Sequence, residues 1–118
     1  MTVEHLNSGE ILSQATVYNG VVNVCGLTAD DMSLDAKGQT EQILAKIDNR
    51  LAAYGTDKSK LLMATIYLTD IGDKPGMNEA WTAWLGNLER PARACVGATL
   101  GTADTLVEIV VSAAKKTI

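Results

Sequence analysis

Two apolar runs near the C-terminal end of this 118-residue chain are each interrupted by a charge. Arg93 stands in "ARACVG", and Glu108 stands in "LVEIVVSAA". A guanidinium is a rigid planar fork that binds a carboxylate through two parallel hydrogen bonds. A carboxylate in dry surroundings can act as acid or base, or hold a water. Strand alternation puts Arg93, Cys95 and Gly97 on one face, and Glu108, Val110 and Ser112 on one face of the next strand. "GTADT" turns the chain between them. In an antiparallel hairpin centred near Leu100–Gly101, Arg93 would sit opposite Glu108, with Cβ atoms about 4.5–5.5 Å apart. A register shift of two keeps the pair on one face, and a slip of one separates it. Spacing alone leaves two readings open: an exposed cross-strand ion pair, which contributes little stability, or a ligand site.

Other chemistry finds less support. Cys25 and Cys95 lie far apart, and the single histidine, His5, is near the N-terminus, away from both. A catalytic thiol needs a lowered pKa, so both cysteines read better as buried or cleft-lining thiols. One histidine builds no histidine-based metal site, and CxxC, HExxH and GxGxxG are all absent. Asp30–Asp31 reads as a solvated loop. The net charge is −4, and no stretch concentrates Lys or Arg. That argues against a nucleic-acid partner, whose phosphates are met by basic patches. The N-terminal residues show neither a basic nor an apolar leader segment, and no apolar run is long enough for a bilayer. The expectation is a cytoplasmic protein with reduced thiols, outside membranes.

The length fits one domain, residues 1–118. Asn19–Gly20 between two β-branched runs predicts a hairpin, with strands at about 14–18 and 21–25 and Gly26 ending the second. Ile43, Ile47 and Leu51 recur every four residues and predict a helix over about 37–54, with Asp35 as N-cap and Gly55 as the stop. "KLLMATIYLTD" predicts a strand, "IGDKPG" a break, and "MNEAWTAWLG" a short helix with Met77, Trp81 and Leu85 on one face. Tyr67, Trp81 and Trp84 read as core or subunit contacts. Two last strands are expected at about 92–99 and 106–114. The result is a β-β-α-β-α-β-β order, with room for one more short strand near the N-terminus. It makes an α+β fold whose mixed sheet carries both helices on one face. Its other face must be solvated or covered by another subunit.

"RPARACV" followed by "LVEIVVSAA" resembles the C-terminal signature of the Rid family, the YjgF-type reactive-intermediate deaminases. There an Arg in a PAR-x-x-V strand precedes a Glu by fifteen positions, as Arg93 precedes Glu108. "VVNVCG", the helix and strand in "QTEQILAKIDNRLAAYGTDKSKLLMATIYLTD", and "MNEAWTAWL" extend the resemblance over almost the whole chain. It implies a chorismate-mutase-like fold, a homotrimer and clefts between subunits. It also implies cofactor-free hydrolysis of enamine and imine intermediates, such as 2-aminoacrylate released by pyridoxal-phosphate enzymes, to 2-keto acids and ammonia. By that resemblance Arg93 pairs with the substrate carboxylate, and Glu108 positions water and shuttles protons. The backbone at Cys95 holds the imine nitrogen or the water, and Cys25 and Gly26 line the cleft wall. Asn78 matches the family's helix-start Asn. The chain departs from the best-characterised branch in two places. Cys25 replaces a Ser before the strand-ending Gly, and "ILSQATV" has no aromatic where that branch has a Tyr. The chain therefore reads as a divergent branch that keeps the Arg and the Glu. Two further readings accompany this one: a non-catalytic trimer that senses or carries small carboxylates at Arg93, and an endoribonuclease or translation inhibitor. The acidic charge disfavours the last.

Overall fold

The computed structural model describes residues 2–116. Its elements are β1 (Glu4–Ser8), β2 (Ser13–Tyr18), β3 (Val21–Leu27), α1 (Ala36–Ala53), β4 (Leu61–Leu68), α2 (Lys74–Leu85), β5 (Ala92–Gly97) and β6 (Val107–Ala114). The six strands form one sheet in the order β1-β2-β3-β6-β4-β5. The Asn19–Gly20 hairpin is present. Both residues take positive φ, 51° and 78°, and Tyr18 pairs with Val21. Asp35 caps α1 by accepting from the Gly38 amide at 2.8 Å. Beyond its other end, Gly55 has φ 79° and the Thr56 amide donates back to the Leu51 carbonyl at 2.9 Å.

Alternation divides the sheet into two faces. Ala64, Ile66 and Leu68 of β4 and Val107, Ile109, Val111 and Ala113 of β6 are buried, against Ile43, Ile47 and Leu51 of α1 and Met77, Trp81 and Leu85 of α2. Asn23, Met63, Thr65, Tyr67, Glu108, Val110 and Ser112 occupy the opposite face. No helix of the described residues covers it, and these residues are half-buried or exposed.

Three expectations need correction. First, β5 and β6 are not a hairpin. β4 lies between them, parallel to β5 and antiparallel to β6. The β4–α2–β5 segment is a crossover, which is how a chain returns to lie parallel beside its starting strand. The segment after β5 is too long for a tight turn, and α1 holds it. The fully buried Gln39 side chain receives the Leu106 amide at 3.0 Å and donates to the Asp104 carbonyl at 3.0 Å and the Leu34 carbonyl at 3.1 Å. Second, Gly26 does not end β3. It lies inside β3, in a bulge where the register shifts between Val24 and Leu27. Third, α2 starts at Lys74 rather than after "IGDKPG", because Pro75 sits in the first turn, where its missing N–H costs nothing.

Gln39→Ala is expected to lower unfolding free energy by roughly 2–4 kcal/mol, since it removes these three side-chain hydrogen bonds to backbone groups at once and leaves a buried gap. A shift of the urea midpoint would report it.

The C-terminal end of the sheet is tied to the turn after α1. Lys116 Nζ lies 2.9 Å from Asp57 Oδ2, and the Lys116 amide donates to the Gly55 carbonyl at 3.2 Å. The Ser59 hydroxyl first, then the Lys116 ammonium, lowers the Asp57 pKa to about 2. A carboxylate depressed on folding stabilises the fold above its unfolded pKa, near 3.9, and the benefit disappears as pH falls through about 2. Wild type is therefore expected to exceed Asp57→Asn in stability above pH ~4 and to converge with it towards pH ~2, as read by thermal melts across that window.

Candidate active site

The predicted site residues fall into two groups on opposite faces of the sheet. Arg93, at its place in β5, is level with Ala64 of β4 and Val111 of β6. Both neighbours are buried on the helix side, so the half-buried Arg93 side chain points towards α2. Its Nη1 donates to Asn78 Oδ1 at 2.7 Å and touches Met77 Sδ at 3.8 Å. Its guanidinium carbon lies 5.5 Å from the centroid of the Trp81 ring. Asn78 and Trp81 lie three residues apart on α2, and so share a helix face. Met77, at 0% exposure, anchors that stretch of helix in the core. Arg93 thus has its Nη1 fixed by a neutral amide and its guanidinium carbon over an indole. None of these contacts uses the Nε–Nη2 edge, which faces a carboxylate in a bidentate pair. Cys95 follows two residues along β5 on the same face, paired with Ile66 and packed against the core.

Glu108 belongs to the other face. It is the register partner of Tyr67 on β4, and on its other flank it meets Gly26 in the β3 bulge. A methyl group on Gly26 would lie 3.1 Å from Glu108 Cδ and 3.4 Å from its Cγ, and closer still to Oε2. The bulge and the missing side chain therefore create the seat in which this carboxylate rests. Cys25, next to Gly26 in the chain, is half-buried and packs against the core. A cleft of about 360 Å³ opens over the group, lined by Tyr67, Glu108 and Val110 from the sheet and by the Ala98–Gly101 segment.

The structure joins Arg93 to Asn78, and Glu108 to Gly26. It does not put Arg93 opposite Glu108. They are separated by β4, three positions out of register, and they face opposite sides of the sheet. The expected pairing required β5 and β6 to be neighbours, and the β4 insertion removes that premise. Sequence reasoning also passed over Trp81 as a partner of Arg93 and Tyr67 as a partner of Glu108. The alternation of Met63, Thr65 and Tyr67 against Ala64, Ile66 and Leu68 was the available signal for the second. Among the described residues no group of three His, Cys, Asp or Glu side chains could hold a metal ion.

The family model described as Endoribonuclease L-PSP matches residues 3–115 of this chain. A "RutC family protein" of Haemophilus ducreyi is 43% identical over 102 residues, covering 86% of this chain and 87% of the relative. The chain belongs to the Rid family. Among solved structures of this family, a YjgF protein from Neisseria meningitidis superposes with a TM-score of 0.93 at 36% identity, over 100% of this chain and 98% of that one. A protein of unknown function in the Rid family from Yersinia pestis gives a TM-score of 0.83 at 29% identity, over 91% and 90% of the two chains. The six-stranded sheet and the two helices on one face are thus the Rid fold. No helix among the described residues is long and apolar enough to cross a membrane.

Proposed function

We propose that this Rid protein is a homotrimer that hydrolyses small carboxylate-bearing enamine and imine intermediates to 2-keto acids and ammonia, without a cofactor. The observation that carries this reading is the setting of Arg93. A half-buried cation is held by a neutral amide and an indole, with no carboxylate among the partners just described. Such a cation is preorganised to accept an anionic ligand.

Glu108 supplies the second half of the chemistry. The two groups face opposite sides of one sheet, so a single site using both takes Arg93 from one subunit and Glu108 from a neighbour. The uncovered sheet face suits such an assembly. It presents Met63 at 38% and Val96 at 42% exposure beside Tyr67 and Val110. An apolar sheet face of this kind is normally covered.

The reaction then proceeds in two stages. Arg93 binds the substrate carboxylate, and Glu108 takes a proton from water as the C–O bond forms and the C=N π pair moves to nitrogen. Protonated Glu108 returns that proton to the amine. The C–N bond then breaks, the hydroxyl proton leaves with the departing nitrogen, and the products are keto acid and ammonia. Each imine carbon is already electrophilic, so acid–base help of about 10²–10⁴-fold suffices.

The test couples the protein to a pyridoxal-phosphate serine/threonine dehydratase, with semicarbazide trapping the released imine. Keto-acid formation should outrun the trap with wild type but not with Glu108→Gln. Equal rates with and without the wild-type protein would overturn the deaminase reading in favour of simple carboxylate binding. Endoribonuclease activity, carried in the name of the matching family model, fits less well. A net charge of −4 disfavours the phosphate contacts that such an activity needs.

A further inference from the structure

β6 runs between β3 and β4, so Glu108 has one neighbour on each flank. On the β3 side its carboxylate leans into the space that a Gly26 side chain would fill. On the β4 side stands Tyr67, its register partner, half-buried on the same open face. Directly paired residues on one face have Cβ atoms about 4.5–5.5 Å apart, and a phenol reaches further from its Cβ than a glutamate carboxylate does. The carboxylate leans towards Gly26 of β3, and Tyr67 and Glu108 both line the cleft that opens over this face.

We infer that Tyr67 and Glu108 together hold the attacking water in this cleft. Water carries two hydrogens. The Glu108 carboxylate accepts one and removes it as the C–O bond forms. The Tyr67 phenol oxygen accepts the other and keeps its own proton throughout. With both hydrogens engaged, a lone pair of the water faces the cleft and the imine carbon. Tyr67 is then a water-orienting residue that acts on turnover rather than on carboxylate binding. This assignment rests on the deaminase reading for its catalytic consequence, but not for the water site itself.

The experiment pairs kinetics with crystallography on the full chain in its native assembly, using wild type and Tyr67→Phe, which keeps the ring and removes only the hydroxyl. The expected structural result is an ordered water within hydrogen-bond reach, about 2.6–3.2 Å, of both groups in wild type. It should be lost or displaced in Tyr67→Phe. The expected kinetic result is a fall in kcat of about 10- to 100-fold with KM nearly unchanged, because a misplaced reactant is costly even when binding persists. Absence of the shared water in wild type overturns the inference whatever the activity. A shared water with full turnover by Tyr67→Phe overturns the catalytic role. A shared water in a wild-type protein that hydrolyses no imine leaves the water site standing and removes the deaminase reading instead.

Discussion

Replacing Arg93 with Ala is expected to lower kcat/KM for imine hydrolysis by about 10²- to 10⁴-fold. The magnitude follows from the two charge-assisted hydrogen bonds that the free Nε–Nη2 edge offers a carboxylate, each worth about 1.5–3 kcal/mol. Stability should change little by comparison. Arg93 is half-buried on the edge strand β5, and its bonded partner Asn78 is half-buried and able to turn to water. Measuring kcat/KM beside the melting temperature separates the two consequences. A variant that melts like wild type and still hydrolyses imines at the wild-type rate would remove Arg93 from the site. Arg93→Lys is a useful companion. A lysine keeps the charge but not the planar fork, so it should recover only part of the loss.

Gly26→Ala is expected to approach the loss caused by removing the Glu108 carboxylate itself, about 10²–10⁴-fold in kcat. The added methyl group would occupy the seat of that carboxylate, with Glu108 Cδ only 3.1 Å away. Gly26 is not among the glycines with positive φ, so alanine fits the backbone there, and the effect comes through contact rather than strain. Glu108 is a side chain with three rotatable bonds and can swing aside. The protein should therefore fold, with the carboxylate displaced towards β4 and Tyr67. Full activity in Gly26→Ala, with a normal melting transition, would show that the position of this carboxylate is unimportant.

The helices, the Asn19–Gly20 hairpin and the identity of the buried face were legible in the sequence because each rests on local pattern. Asp35 before the apolar stripe of α1 and Gly55 after it mark a helix whatever the tertiary fold. The alternation of Val107, Ile109, Val111 and Ala113 likewise marks one buried face of β6. Strand order was not legible in this way. The apolar run of β5, followed by a glycine-containing segment and the run of β6, reads as a hairpin. Only the insertion of β4, guided by the α2 crossover and by the grip of Gln39 on the connecting segment, excludes it. The error carried directly into the site. Arg93 and Glu108 were correctly singled out as charges in apolar strands, but they were placed side by side when they face opposite ways. The fifteen-residue spacing does not record a contact within one chain, because β4 lies between the two strands. Gly26 looks like a strand end for a related reason: a bulge resembles a stop in sequence, whereas this glycine makes room for a glutamate eighty-two positions later.

The central claim is that one catalytic centre takes Arg93 from one subunit and Glu108 from another, and subunit mixing tests it most directly. Arg93→Ala and Glu108→Gln chains would be assayed separately, then after dissociation and reassembly together. Each is expected to be inactive alone. Random mixing in equal amounts should restore roughly a quarter of wild-type activity, the fraction of interfaces that receive an intact Arg93 from one side and an intact Glu108 from the other. Mixed assemblies that form but stay as inactive as their parents would contradict a shared site.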